Sequence, residues 1–139
     1  MHLRIATDQP WDVAADVLAI PIVGEPAFGG PLGELDRRSG GELQALAAFG
    51  ELSGKRYEAA LAAPGELPAG RLLAVGAGEP DALTRETIHR LGATIERRLS
   101  GRVVRSLAIW IGDLAATMDG GAPVVVELCL LYTSPSPRD

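Results

Sequence analysis

An amphipathic helical stretch between two apolar runs constrains the fold more than any other feature of the sequence. The apolar runs, residues 71–75 (RLLAV) and 103–111 (VVRSLAIWI), have the length and composition of buried strands. Between them, apolar residues repeat at helical spacing over residues 84–99, and Thr84 is suited to cap the helix. A strand, a helix and a strand in succession favour parallel pairing through a right-handed crossover, so the sequence predicts an α/β fold.

Further segments before residue 71 continue this alternation. Their apolar runs and breaks predict three strands and two short helices, at residues 3–6, 17–23 and 57–63 and at residues 32–38 and 42–49. Pro21 interrupts the second strand, which predicts either that its ladder ends there or that it lies at an edge of the sheet. The first and third strands are short enough to pair antiparallel. We therefore expect a three-layer α/β sandwich, with a mixed sheet of about five strands flanked by helices.

The last eleven residues, 129–139 (CLLYTSPSPRD), differ from the rest of the chain. Back-translated, they resemble a transposase adapter used in DNA sequencing libraries, and they contain the only cysteine of the sequence. We therefore expect residues 1–128 to be one domain, truncated at its C-terminal end, and residues 129–139 to be an artefactual, disordered tail. Within the domain, residues 113–121 are predicted to form a loop, and residues 122–128 begin either a helix or a strand.

The bulk composition narrows the function classes. A net charge of −5 argues against a nucleic-acid-binding role. Without a cysteine before residue 129, the sequence offers no basis for a disulfide framework, a thiolate metal site or a nucleophilic cysteine. The N-terminus lacks the apolar stretch of a secretory signal, and no apolar run reaches the roughly 18 residues of a membrane span. We expect a soluble, cytoplasmic protein.

Three segments in a fixed order resemble those of a known family. Residues 35–43 resemble the "LD, spacer, GG, x, L" segment in the N-terminal domain of the leucyl aminopeptidases, the cytosol aminopeptidase family. Residues 49–55 are similar to its G-(D/E)-F-x-G-K segment, with Leu52 where phenylalanine is usual. Residues 67–78 are similar to its LPAxRxLLVGLG strand, with Ala77 where leucine is common.

The predicted helix at residues 84–99 follows in the family's order, and the resemblance extends over roughly residues 16–111. It implies an N-terminal domain of macrodomain-like fold, joined in the intact protein to a larger C-terminal domain that holds two divalent metal ions, zinc or manganese. The intact protein would be a cytoplasmic homo-hexamer that releases N-terminal amino acids from peptides. Because the family's metal ligands and catalytic residues belong to the C-terminal domain, the resemblance assigns no catalytic, cofactor-binding or metal-binding residue to this chain. We expect a non-enzymatic domain without cofactors, with a structural and assembly role and its missing catalytic domain as partner.

The residues leave two other functions open. The glycine-rich loop at residues 24–33 (GEPAFGGPLG) follows an early strand, as does the macrodomain loop that holds a diphosphate, so an ADP-ribose or nucleotide-binding module is the alternative. DNA binding is a second alternative, indicated by three basic pairs: Arg37 and Arg38, Lys55 and Arg56, and Arg97 and Arg98. Glu25 and Glu34 flank the loop, which favours a structural turn over a nucleotide site. Acidic residues separate the basic pairs, which favours a solvated surface over a DNA-binding one.

Other candidate residues have plainer interpretations. His89 lies on the polar side of its predicted helix and is interpreted as a solvated surface residue. Asp8, Asp12 and Asp16 lack the glycine and glutamate of a calcium-binding loop and are interpreted as solvated loop carboxylates. The Gly-Ala-Gly sequence at residues 76–78 does not continue into a dinucleotide fingerprint, and it predicts a tight turn.

Overall fold

A computed structural model describes residues 2–6, 9–112 and 114 of the chain. These residues form one five-stranded sheet and three α-helices. In chain order the elements are β1 (His2–Ala6), β2 (Val17–Val23), α1 (Pro31–Arg38), α2 (Glu42–Phe49), β3 (Ala59–Ala62), β4 (Arg71–Gly78), α3 (Arg85–Leu99) and β5 (Ser106–Trp110). Short 3-10 turns occur at Pro10–Asp12 and Pro80–Ala82. The predictions for residues 115–139, including the tail, lie outside the described part of the chain.

The sheet has the strand order β1-β5-β2-β4-β3. The first four of these strands pair in parallel, and β3 runs antiparallel to β4. The predicted mixed sheet of five strands is therefore confirmed for the described residues. The expectation that the first strand could also pair antiparallel is wrong, because β1 pairs with β5 in parallel from His2↔Ser106 to Ala6↔Trp110.

β2 occupies the centre of the sheet. It lies between β5 and β4, so these two strands are parallel but do not pair, contrary to what the strand-helix-strand pattern favoured. Six of the seven residues of β2 are buried, which suits a strand covered on both faces. Pro21 is tolerated because pairing with β5 stops at Ala19, whereas pairing with β4 continues to Val23. The prediction that the ladder ends at Pro21 therefore holds only on the side of β5 and is wrong on the side of β4, and the edge-strand alternative is wrong.

Alternating side chains of the sheet form two cores, one on each face. On one face β2 contributes Leu18 and Ile22, which pack with residues of α1 and α2. On the other face β2 contributes Val17 and Ala19, which pack with the apolar stripe of α3. The three layers are therefore the α1–α2 pair, the sheet and α3, as predicted. Shortening a fully buried leucine to alanine typically costs about 2–5 kcal/mol, so both layers contribute to stability.

Local signals place the ends of α3. The Thr84 hydroxyl accepts a hydrogen bond from the Thr87 N–H (3.2 Å), and the Thr87 hydroxyl accepts one from the Thr84 N–H (3.3 Å), which completes a capping box. Arg97 and Arg98 lie in the last turn, where cations complement the helix dipole. Gly101 follows with a φ of 80°, a conformation that glycine adopts readily.

A clamp from Asp16 sets the start of β5. The Asp16 carboxylate accepts hydrogen bonds from the N–H groups of Arg105 (2.7 Å) and Ser106 (3.3 Å), and its own N–H donates to the Ser106 hydroxyl (2.9 Å). The strand therefore begins at Ser106 rather than at residue 103 as predicted, and Val103 is 89% exposed. Asp16 is exposed, as interpreted, and its carboxylate in addition holds the start of β5, which the sequence did not indicate.

Candidate functional site

The carboxyl ends of β2 and β4 lie side by side and carry a cleft of about 330 Å³. Three segments line it: the end of β2, the end of β4 and the loop between α2 and β3. The lining residues are Gly24, Glu25, Ser53, Gly54, Lys55, Arg56, Gly78 and Glu79. Open α/β sheets bind ligands in the crevice outside the carboxyl ends of parallel strands, so this cleft is the candidate functional site.

Glycines allow the loop between α2 and β3 to lie directly on the strand ends. A Cβ on Gly54 would overlap the carbonyl oxygen of Gly24, and a Cβ on Gly76 would overlap that of Lys55. Gly54 also has a φ of 87°, a backbone conformation that residues with a side chain rarely adopt. Backbone packing therefore requires glycine at two positions within the segments that resemble the family.

β4 continues through residues 76–78, so the tight turn predicted there is wrong. The Gly76 N–H donates to the Glu58 carbonyl (2.7 Å), and the Gly78 carbonyl accepts from the Gly24 N–H (2.8 Å). Closely spaced glycines are a strong turn signal in a sequence, but a strand also needs glycine where another backbone approaches it. The close approach of the loop, rather than a chain reversal, accounts for Gly76.

Hydrogen bonds within residues 53–58 hold the loop in one arrangement. The Glu58 carboxylate accepts from the Ser53 N–H (2.5 Å) and from the Ser53 hydroxyl (3.0 Å). The Glu58 N–H donates to the Lys55 carbonyl (3.2 Å), which closes a turn. The loop is thus tied to itself as well as packed on the strand ends.

Tyr57 adopts a positive φ of 66° within this turn. Its N–H donates to the Gly76 carbonyl (2.8 Å), which joins the turn to β4. A non-glycine residue in this region costs on the order of 1–3 kcal/mol and persists only where its surroundings hold it. The predicted strand at residues 57–63 is shorter for the same reason and begins at Ala59.

Four charged side chains surround the cleft. Lys55 and Arg56 belong to the loop, Glu25 follows β2 and Glu79 follows β4. All four are exposed. Within the described residues, none of them forms an ion pair or a side-chain hydrogen bond. The sequence interpretation did not bring these residues together, although the glycines at positions 54 and 76 were a signal that backbones approach closely there.

The glycine-rich loop at residues 24–33 lines a separate cavity of about 180 Å³ beside the N-terminus of α1. The loop is closed on the helix, because a Cβ on Gly33 would overlap the carbonyl oxygen of Phe28. Few N–H groups of the first turn are available to an anion: Pro31 has none, and the Gly33 N–H donates to the Gly30 carbonyl (2.9 Å). This geometry favours a structural turn over a cradle for a diphosphate.

The segment at residues 35–43 forms the corner between α1 and α2. The buried Asp36 carboxylate accepts a hydrogen bond from the Gln44 N–H (2.8 Å) in the first turn of α2, and so caps that helix. Gly40 and Gly41 both have a φ of 82°, which lets the chain change direction between the helices. The leucines at the two ends of the segment are fully buried. Each defined position of the segment therefore serves the architecture of the corner.

The three basic pairs do not share one surface. They lie on α1 (Arg37 and Arg38), beside the cleft (Lys55 and Arg56) and in the last turn of α3 (Arg97 and Arg98). Because α1 and α3 pack on opposite faces of the sheet, the first and last pairs cannot contact the same straight segment of nucleic acid.

Glu34 engages the basic pair on α1. Its carboxylate accepts from the guanidinium groups of both Arg37 and Arg38, with 2.6 Å to the Arg38 Nε. The hydrogen bond from Arg38 lowers the pKa of the Glu34 carboxyl, partly opposed by desolvation and reinforced by Arg37. The Arg38 guanidinium also lies over the Trp11 ring, 5.5 Å from its centroid.

The remaining predicted residues do not assemble a site. His89 and Asp12 are exposed, as interpreted, and Asp8 lies outside the described residues. No group of three or more His, Cys, Asp or Glu side chains within residues 2–6, 9–112 and 114 is arranged to hold a metal ion. In the same part of the chain, no helix has the length and apolar character needed to span a membrane.

Solved structures share this arrangement of layers and strands. A macrodomain from Trypanosoma brucei in complex with ADP-ribose matches with a TM-score of 0.69 at 16% identity, over 96% of this chain and 59% of its own. A macrodomain variant from Oceanobacillus iheyensis matches with a TM-score of 0.66 at 13% identity, over 96% and 79%. The chain thus spans 59% of the length of the first structure. At these identities the likeness concerns the fold alone, and the fold is a macrodomain-like α/β sandwich.

The sequence assigns the domain to a family. The chain belongs to the cytosol aminopeptidase family: residues 22–127, more than half of its length, match the N-terminal domain of that family. The matched region contains all three segments that carried the resemblance, which is therefore confirmed. No curated protein sequence matches the chain.

Proposed function

We propose that this chain is the non-catalytic N-terminal domain of a leucyl aminopeptidase, an exopeptidase that releases N-terminal amino acids from peptides. The observation that carries the proposal is the role of the family-like segments. Residues 35–43 form the α1–α2 corner, residues 49–55 supply Gly54, through which the loop packs against Gly24, and residues 67–78 include β4. Positions shared with the family thus stabilise the domain, which supports a structural role in packing against a catalytic domain.

The proposed parent protein is a cytoplasmic homo-hexamer whose catalytic domain holds two divalent metal ions, zinc or manganese. The described residues of this chain do not fit such a site, because no three potential metal-ligating side chains come together among them. The proposal therefore assigns metal binding and catalysis to the catalytic domain, which is also the partner of this one. Peptides are the substrates of the parent protein.

An activity assay on the chain alone tests this proposal. Incubation with a leucine chromogenic amide and zinc or manganese should give no turnover above a control with metal alone. A full-length member of the family, assayed alongside, verifies that the substrate and the metal ion are competent. Turnover by the chain well above the metal control would contradict a non-catalytic role.

Nucleotide binding is the second candidate function, because one of the matching macrodomain structures is in complex with ADP-ribose. The geometry supports it less well. The cavity of about 180 Å³ at the glycine-rich loop is smaller than the roughly 300–1,000 Å³ typical of small-molecule sites. Glu25 lines the same cavity and would repel a diphosphate. Thermal unfolding with millimolar ADP-ribose tests this candidate, since a ligand selective for the folded state raises the Tm and an unchanged Tm would exclude it.

DNA binding has the least support of the three functions. The net charge is −5, and Glu34 already engages Arg37 and Arg38. A gel-shift experiment at low and at physiological salt tests this function. We expect no complex at physiological salt, and a salt-dependent complex with high affinity would contradict the expectation.

A further inference from the structure

The loop between α2 and β3 is held more rigidly than a simple connection requires. Tyr57 keeps a positive φ of 66°, and Gly54 lies against the backbone of Gly24. Strained conformations that their surroundings hold in place cluster at ligand-binding sites. The result of this loop structure is that two cationic side chains, Lys55 and Arg56, line the cleft at the carboxyl ends of β2 and β4.

Two positively charged and two negatively charged side chains line this cleft. Lys55 and Arg56 face the same cavity as Glu25 and Glu79, and none of the four has an ion-pair partner in the part of the chain that the structure describes. A phosphate or another anion would meet two carboxylates there, and a metal ion would meet two cations. A ligand that carries one positive and one negative group instead finds a complementary charge for each.

We propose that this cleft binds a small zwitterion with an α-ammonium and a carboxylate group, which is a free amino acid or a short peptide. The carboxylate accepts hydrogen bonds from Lys55 and Arg56, and the ammonium donates to Glu25 and Glu79. The volume of about 330 Å³ lies at the lower end of the roughly 300–1,000 Å³ of small-molecule sites, which suits a ligand of this size. The choice of ligand rests on the proposed function, in which amino acids and peptides are the products and substrates of the parent protein.

A titration of the 139-residue chain with leucine, followed by amide chemical shifts, tests the inference. We expect saturable shifts at Gly54 and Gly78 in the millimolar range. N-acetylleucine lacks the ammonium and leucine amide lacks the carboxylate, so each should bind about fivefold more weakly or worse. A parallel titration with leucylglycine separates the two sources of the zwitterion: tighter binding than leucine assigns the site to peptides, and weaker binding assigns it to free amino acids.

Variants of the cleft give a second measurement. Lys55→Gln and Glu79→Gln each remove one charge-assisted hydrogen bond and should weaken leucine binding by about fivefold or more. Glu96→Gln and Arg98→Gln change charges that are also exposed, near the C-terminus of α3, and both variants should bind leucine as the original chain does. Equal shifts with leucine and both blocked analogues, or equal binding by the cleft variants and the α3 variants, would overturn the inference.

The outcome of the titration is separable from that of the activity assay. No selectivity for zwitterions, together with no peptidase turnover, overturns the binding inference and leaves the proposed structural role in place. Turnover of the chromogenic amide overturns the structural role and leaves the titration result unaffected.

Discussion

Two regions of the molecule contain segments shared with the family, and their charged residues differ in environment. At the α1–α2 corner, Asp36 is 4% exposed and its carboxylate binds the Gln44 N–H. At the cleft, Lys55 is exposed and has no side-chain partner among the described residues. A buried charge must be matched within the fold, whereas an exposed charge is available to solvent or to a ligand. The comparison separates residues that stabilise the domain from residues that can bind something.

Backbone contacts beneath the cleft should produce the largest effects on stability. Gly54 combines a positive φ with a backbone overlap, and Gly76 has the overlap alone. Gly54→Ala should therefore lower the free energy of unfolding by about 3 kcal/mol or more, and Gly76→Ala by about 2 kcal/mol or more. Urea denaturation measures both. The cleft thus requires a precise backbone even though its charges do not hold it together.

Two other glycines are matched controls for this series. Gly50 has a φ of 91° and no atom within 4 Å of an added Cβ, and Gly29 has neither a positive φ nor a close atom. Gly50→Ala should cost about 1 kcal/mol, and Gly29→Ala less than about 0.5 kcal/mol. Equal costs at Gly29 and Gly54 would show that the close approach of loop and strand does not contribute to stability.

The buried carboxylate of the corner should have the next largest effect. Asp36→Ala removes the cap of α2 and leaves the Gln44 N–H without its acceptor, so the free energy of unfolding should fall by about 1–3 kcal/mol. Asp36→Asn retains an oxygen acceptor and should cost less. Asp81→Ala alters an exposed carboxylate and should stay within about 0.5 kcal/mol of the original chain. If urea midpoints for Asp36→Ala and Asp81→Ala coincide, the corner does not depend on its carboxylate.

The charges of the cleft should contribute little to stability. Lys55→Gln and Glu79→Gln should each change the free energy of unfolding by less than about 0.5 kcal/mol, because both side chains are exposed and unpaired among the described residues. The same urea measurements apply. A loss above about 1 kcal/mol would put the cleft charges in the same class as Asp36 and remove the contrast between the two regions.

Glu34 is intermediate in burial between Asp36 and Lys55. Its substitution should have the smallest effect of the series. Arg38 and Arg37 lower its pKa in the folded state, so the fold favours the ionised carboxylate. The resulting stability is present above the pKa of the unfolded chain and is lost as the pH falls through the lower pKa of the folded state. Glu34→Gln should therefore slightly reduce the drop in Tm between neutral pH and about pH 3. Thermal unfolding over this range measures it, and an identical drop in both proteins would contradict the expectation.

Elements defined by short-range signals were predicted well. The helix at residues 42–49 is found with the predicted bounds, and Thr84 caps α3, because apolar periodicity and capping act within a few residues. The errors occur where distant segments meet. β5 begins late because of Asp16, which lies 89 residues before Arg105, and β4 runs through residues 76–78 because a loop packs on Gly76. The candidate cleft was missed for the same reason.

The sequence by itself determined the order of strands and helices, the α/β class and, through three short segments, the family. Only the tertiary structure decided that β2 lies between β5 and β4, that β1 is parallel, and that residues from three segments share one cleft. Periodicity and capping are local properties that a sequence displays directly. Strand order and the cleft depend on which apolar faces bury each other and on which backbones have room to touch, and those choices arise only between segments far apart in the chain.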